Sequence, residues 1–154
     1  MTMAESHVRP ARSSEAAGRR MKATRRRDTQ AEIRLRHELW RIGLRYRVDA
    51  APLARGRRRA DVLFSKAKVA VYVDGCFWHG CPDHRSWPAA NRAWWQAKLL
   101  ANQARDRSTD SELAGAGWTV VRVWEHEDPV TAAVRVAQAV SRARLGIGDS
   151  LATD

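Results

Sequence analysis

Residues 60 to 74 read "ADVLFSKAKVAVYVD", two apolar, β-branched runs on either side of the polar turn "SKAK". Runs of this kind bounded by turn formers are strand signals, and a connection this short makes them a hairpin. "WTVVRVW" at 118 to 124 reads as another strongly apolar strand, and "RYRVDA" at 45 to 50 as a short alternating one. A chain with these strands must shield a sheet, so the segments between them have to supply helices. From Asp28, "DTQAEIRLRHELWRIGL" sets Ala31, Leu35, Leu39 and Ile42 on one helical stripe that closes at Gly43. Thr29 and Glu32 have capping-box spacing at its start. Helical segments are expected within Asn91 to Ala116, with a break or bend near Asp106 to Thr109. Asp128 as N-cap and Pro129 in the first turn open a last helix, whose Val130, Val134, Ala137 and Val140 should line the buried face. The expected order is helix, three strands, helix, strand, helix, with no internal repeat and no glycine-rich phosphate loop.

The 154 residues fit one domain able to bury a core without disulfides. Residues 1 to 20 read as a disordered basic tail, residues 21 to 145 as the folded domain, and residues 146 to 154 as a flexible C-terminal tail. The two cysteines, Cys76 and Cys81, lie too close together to staple a fold and suit cytosolic thiols or metal ligands. No run of about eighteen apolar residues occurs, and no apolar stretch follows the basic N-terminus, so a cytoplasmic protein without membrane contact is expected.

Charge narrows the partners. The net charge is +11, and residues 1 to 60 hold 17 Lys or Arg against 6 Asp or Glu, whereas residues 61 to 154 hold 11 of each. A basic segment of that kind attracts a polyanion by releasing counterions, which makes nucleic acid the first partner to consider. A solvated basic tail is the bland alternative.

Chemistry-bearing residues crowd into "VDGCFWHGCPDH" at 73 to 84. Cys76, Cys81 and His84 are zinc-ligand types at close spacing, and His126 after the last strand is the best fourth member, with His79 competing. Buried free thiols beside a solvated His are the alternative. Asp61 and Asp74 stand at neighbouring ends of the hairpin, where both carboxylates could face one hard cation such as Mg2+, which polarises phosphoryl oxygens and lowers the pKa of water. Each could equally cap a strand or turn. His79 titrates near neutrality and suits proton transfer, although a loop His needs no such task. Glu32 is already explained by its cap, and Asp106 by an ordinary ion pair to Arg105 or Arg107. Seven tryptophans are many for this length. Trp118 and Trp124 flank a strand and suit the core; Phe77 and Trp78 sit in a loop, where they either pack against it or act as a wedge between base steps.

With these residues in view, "RDTQAEIRL", "RADVLF", "VDGCFWHGCPDH", "NRAWWQAKLLANQARDR" and "GWTVVRVWE" occur in the order and with the gaps of the very short patch repair (Vsr) mismatch endonucleases, a family the chain resembles from about Met21 to Glu125. The resemblance implies an α/β fold of the restriction-endonuclease-like PD-(D/E)xK type, a mixed central sheet flanked by helices with a structural zinc site. It implies a monomeric, nucleoid-associated enzyme that makes a magnesium-dependent nick beside the T of a T:G mismatch in double-stranded DNA, with a possible functional pairing to a cytosine-5 DNA methyltransferase. By this likeness Asp61 and the Val73 carbonyl match the family's metal ligands, His79 the catalytic histidine, and Glu32 and Asp106 supporting acidic positions. Phe77, Trp78 and Trp95 match the aromatic wedge, and the segment with Arg25, Arg26 and Arg27 resembles a DNA-embracing arm. Two departures stand out. Asp74 occupies a position where the best-known members carry His, which makes it a potential second metal carboxylate, and Cys81, His84 and His126 replace a zinc set richer in cysteine around Cys76. A same-fold nuclease with another target and a noncatalytic zinc module for distorted DNA are the competing functions.

Overall fold

The computed structural model describes residues 28–56, 58–75 and 90–146. Helix α1 (Gln30–Arg41) starts as its sequence dictates: the Thr29 hydroxyl accepts from the Glu32 N–H at 3.3 Å. The Glu32 carboxylate reaches back one residue further than a simple capping box, accepting from the Asp28 N–H at 2.9 Å. At the other end Gly43, at φ +93°, turns the chain. Gly43 N–H donates to the Trp40 carbonyl and Leu44 N–H to the Leu39 carbonyl, the paired bonds of a Schellman cap. The apolar stripe therefore closes on Leu44, which packs against the core, while Ile42 is left exposed instead of continuing the buried face.

Three strands follow, β1 (Arg47–Ala50), β2 (Ala60–Phe64) and β3 (Val69–Asp74). The expected hairpin forms, with Phe64 opposite Val69 and Leu63 opposite Ala70, and β1 pairs antiparallel to the other side of β2. Helix α2 (Arg92–Gly115) lies in the crossover to β4 (Thr119–Trp124), which runs parallel to β3 from Val69↔Thr119 to Asp74↔Trp124. Helix α3 (Pro129–Arg144) ends the fold, with Asp128 as N-cap accepting from Thr131 N–H at 2.9 Å. The sheet order is β1-β2-β3-β4.

Alternation along the strands divides the core into two layers. Val62, Phe64, Val69, Val71, Val121 and Val123 face α1 and α3, meeting Leu35 and Leu39 of the first and Val136 and Val140 of the second. The opposite face carries Leu63, Ala70 and Tyr72 against Leu113 of α2. Strand β3 is covered on both sides, which is why its sequence is almost uniformly apolar.

Two expectations about helices are corrected. Helix α2 is continuous for 24 residues, with no break at Asp106 to Thr109. Thr109 is buried and its hydroxyl donates to the Arg105 carbonyl at 2.9 Å, so the polar cluster is accommodated within the helix. In α3 the buried face is Ala132, Ala133, Val136 and Val140; Val130 and Val134 point outward. Two adjacent alanines let α3 approach its neighbours closely, and that contact outweighs the greater hydrophobicity of the valines.

Candidate active site at the hairpin end

Asp61 lies on β2, on the same sheet face as Leu63 and Ala70, and therefore on the face that Asp74 shares at the end of β3. The β2–β3 ladder pairs Val62 with Val71, and beyond it the Val73 N–H donates at 2.7 Å to Asp61 Oδ2. A side chain thus takes a backbone donor at the strand end, and the Val73 peptide is held against the carboxylate. Burial raises the Asp61 pKa to about 7; the Val73 hydrogen bond opposes this, while the charges of Glu32, Asp74 and Asp49 push it higher still. Among the described residues no Lys or Arg forms an ion pair with Asp61. A half-buried carboxylate under the charges of Glu32, Asp74 and Asp49, with no Lys or Arg paired to it among the described residues, suits a hard divalent cation in its donor chemistry.

Asp74 has a different setting. Arg122, facing it from β4, places Nη1 3.0 and 3.3 Å from the two Asp74 oxygens. The same guanidinium binds Asp110 of α2 through Nε, at 3.1 Å from both oxygens, and through Nη2 at 2.7 Å. Asp106 Oδ1 stands 3.7 Å from Nη1, so its ion pair is to Arg122 and not to the adjacent Arg105 or Arg107. Burial disfavours the Arg122 charge, but the Asp110 hydrogen bond and the charges of Asp74, Asp110 and Asp106 outweigh it and raise its pKa. The guanidinium also lies 4.6 Å from the Tyr72 ring centroid. Burial pushes the Tyr72 phenol up to about 12.

Glu32 is buried and serves both as a cap and as part of the negative field on Asp61. Val73 also lines a cleft of about 240 Å³ with Arg34, Trp124, Glu125 and Glu127, on the face of the sheet that α1 and α3 cover. His126 is exposed, its ring stacked on Trp124 with centroids 6.4 Å apart. Glu125 N–H donates to the Asp74 carbonyl at 2.9 Å, which puts the chain leading to His126 beside the end of β3, two residues before Cys76 in sequence. Trp124 and Trp118 are half-buried rather than full core residues, with Trp118 packing on the α2 layer. Trp95, in the first turn of α2, meets Trp94 edge to face at 4.7 Å. Arg25, Arg26, Arg27, Cys76, Phe77, Trp78, His79, Cys81 and His84 lie outside the described residues. Among those that are described, no three His, Cys, Asp or Glu side chains form a metal-ligand group.

Arg122, Asp110 and Asp49 were missed by the sequence reading. The arginine inside "WTVVRVW" was the available signal, since a charge within a buried strand requires buried partners, and Asp106 and Asp110 have the spacing to share one helix face.

An α/β core with a paired antiparallel hairpin, a parallel fourth strand and two carboxylates at the hairpin end fits a nuclease fold, and the relatives are endonucleases. The family model for the DNA mismatch endonuclease Vsr matches residues 11–85. A type II nicking enzyme V.NaeI of Lentzea aerocolonigenes is 41% identical over 143 residues, 92% of this chain and 86% of that protein. The DNA mismatch endonuclease Vsr of Escherichia coli strain K12 is 35% identical over 127 residues, 80% of this chain and 74% of the relative. A type II nicking enzyme V.NmeDIP of Neisseria meningitidis serogroup C is 34% identical over 125 residues, covering 78% and 82%. The chain belongs to the Vsr family of DNA mismatch endonucleases. No helix among the described residues is long and apolar enough to cross a membrane.

Proposed function

We propose that the protein nicks one strand of double-stranded DNA beside the T of a T:G mismatch, by magnesium-dependent hydrolysis of a phosphodiester. The observation that carries this reading is the Asp61 carboxylate, half-buried, raised in pKa and held by the Val73 N–H at the end of the hairpin. Asp61 and the Val73 carbonyl would hold the cation, and Glu32 would add to the field that draws it in. When bound, Mg2+ supplies charge to the phosphoryl oxygen and acidifies a water molecule. His79 is assigned to proton transfer at that water. Asp106 supports the site through its ion pair to Arg122.

Cys76, Cys81, His84 and His126 are proposed to share a structural zinc. Their donor set is one that zinc prefers. His126 follows the strand end that pairs with Asp74, and Cys76 lies two residues beyond Asp74, which supports the grouping by topology. A loop fixed in this way would hold Phe77 and Trp78 out as a wedge, with Trp95 contributing from α2, and unstacking costs least at a mismatch. Arg25, Arg26 and Arg27, just before α1, would meet the phosphates as a monomer encloses the duplex. Recognition of a T:G pair fits a role in repairing deaminated 5-methylcytosine, alongside a cytosine-5 methyltransferase in the nucleoid.

The test is cleavage of paired oligonucleotide duplexes that differ only in T:G against C:G at one position, with and without Mg2+. Nicking confined to the T:G duplex and dependent on Mg2+ is expected. Equal cutting of both, or cutting in excess chelator, would overturn the proposal.

A further inference from the structure

We infer that Arg122 is a positioning residue that withdraws Asp74 from cation binding and ties the sheet to α2, leaving Asp61 as the strand-end carboxylate that holds the metal. This rests on the reading of Asp61 given above. The two aspartates share a sheet face and a hairpin end, so their sequence positions give them equal claims on a cation. Their surroundings separate them. Both Asp74 oxygens lie within 3.3 Å of one guanidinium nitrogen, and its side chain is 8% exposed. Asp61, by contrast, accepts from the neutral Val73 N–H at 2.7 Å and has no Lys or Arg ion-paired to it among the described residues. A divalent ion at Asp74 would have to sit beside a guanidinium or displace it, and the same guanidinium is fixed by Asp110 through two of its nitrogens. Further hydrogen bonds anchor this strand: Arg135 Nη2 donates to the Arg122 carbonyl at 2.7 Å and to Glu127 at 3.2 Å. Arg122 therefore has one cationic group serving three carboxylates from two elements, Asp74 on β3 and Asp106 and Asp110 on α2. A lysine could not satisfy them in the same way, because it lacks the planar fork.

The experiment measures Mg2+ binding to the free full-length chain by calorimetry and the melting temperature in chelator. Asp74→Asn, which can still accept from Arg122, should bind Mg2+ as the parent does. Arg122→Gln should lower the metal-free melting temperature and tighten Mg2+ binding severalfold, because it frees a second carboxylate. Asp74→Asn combined with Arg122→Gln should return Mg2+ affinity to the parent value and recover part of the melting temperature; a purely structural arginine would not couple to Mg2+ in this way. Arg122→Lys should recover charge but only part of the stability. The inference is overturned if Asp74→Asn weakens Mg2+ binding by about tenfold or more, since even a group that only orients a metal ligand costs that much when removed. That single variant decides the matter even if Arg122→Gln does not fold. Asp61→Asn, measured in parallel, separates the two readings. If it leaves Mg2+ binding intact, the assignment of Asp61 falls and this inference with it; if it abolishes binding while Asp74→Asn weakens it tenfold, only the inference about Arg122 and Asp74 fails.

Discussion

Asp61 ionises near its ordinary value of 3.8 in an unfolded chain but near 7 in the native protein, where burial is the main cause. Between those two values the unfolded state has released a proton that the native state retains. The stability associated with Asp61 is therefore complete below about pH 4, falls as the pH rises to about 7, and stays low above it. At about 1.4 kcal/mol per pKa unit the effect is at most about 4 kcal/mol in the metal-free protein. Asp61→Asn keeps an acceptor for the Val73 N–H and removes the charge. Its melting temperature in chelator at pH 8 should exceed that of the parent by several degrees, with the gap closing near pH 4, while nicking falls by at least about a hundredfold. Thermal scans across pH and a single-turnover assay check both halves; a destabilised variant at pH 8 would contradict the burial argument. The sequence placed Asp61 at the hairpin end because it opens the first of the two strands, but its raised pKa comes first from burial in the fold and then from the charges of Glu32, Asp74 and Asp49, of which Glu32 and Asp49 are connected to it by no local pattern.

Helix boundaries obeyed local chemistry more closely than helix faces did. Thr29 and Asp128 cap where their types and positions predict, because a cap is satisfied within one turn. The end of α2 shows the same locality. Gly117, at φ +85°, sits between Gly115, the last helical residue, and Trp118, whose N–H donates to the Leu113 carbonyl at 2.9 Å. A Cβ at either glycine would meet nothing within 4 Å, so only the backbone distinguishes them. Gly117→Ala should cost about 1 kcal/mol by forcing an L-residue into the left-handed region, and Gly115→Ala should stabilise by about 0.5 to 1 kcal/mol through helix propensity. Urea denaturation of the two variants tests the pair, and equal effects would refute it. The buried face of α3 was less legible, since Ala132 and Ala133 matter for how closely the helix packs against its partner, a property of two elements rather than one.

Across the whole molecule, the excess positive charge and the cysteine-histidine cluster make separate demands. If the Arg25, Arg26 and Arg27 segment meets phosphates, replacing all three with Ala should weaken binding of matched and mismatched duplexes alike. The slope of log K against log salt should become shallower by about 2 to 3, at roughly 0.9 per phosphate contact. An unchanged slope, read by fluorescence anisotropy over a salt series, would remove the segment from the interface. If the zinc assignment holds, purified protein carries one tightly bound zinc, and Cys81→Ala loses it and folds poorly, because structural zinc binding is coupled to folding. Elemental analysis finding no zinc, together with a melting temperature insensitive to chelator, would return the cysteines to ordinary thiols.

By itself the sequence determined the order of elements, the hairpin and its turn, the caps of α1 and α3, and the residues that carry the resemblance to the family. Each of these depends on periodicity or on groups within a few residues of one another, where sterics and hydrogen bonding act locally. Only the tertiary structure decided that Asp106 joins Asp74 and Asp110 around Arg122, that α2 runs unbroken past Thr109, and that Ala132 and Ala133 face the core. Those outcomes turn on which charges and surfaces meet when strands β3 and β4 and helix α2 pack together. A carboxylate's partner is chosen by the desolvation cost of leaving it alone in the assembled core, and that cost exists only once the core has formed.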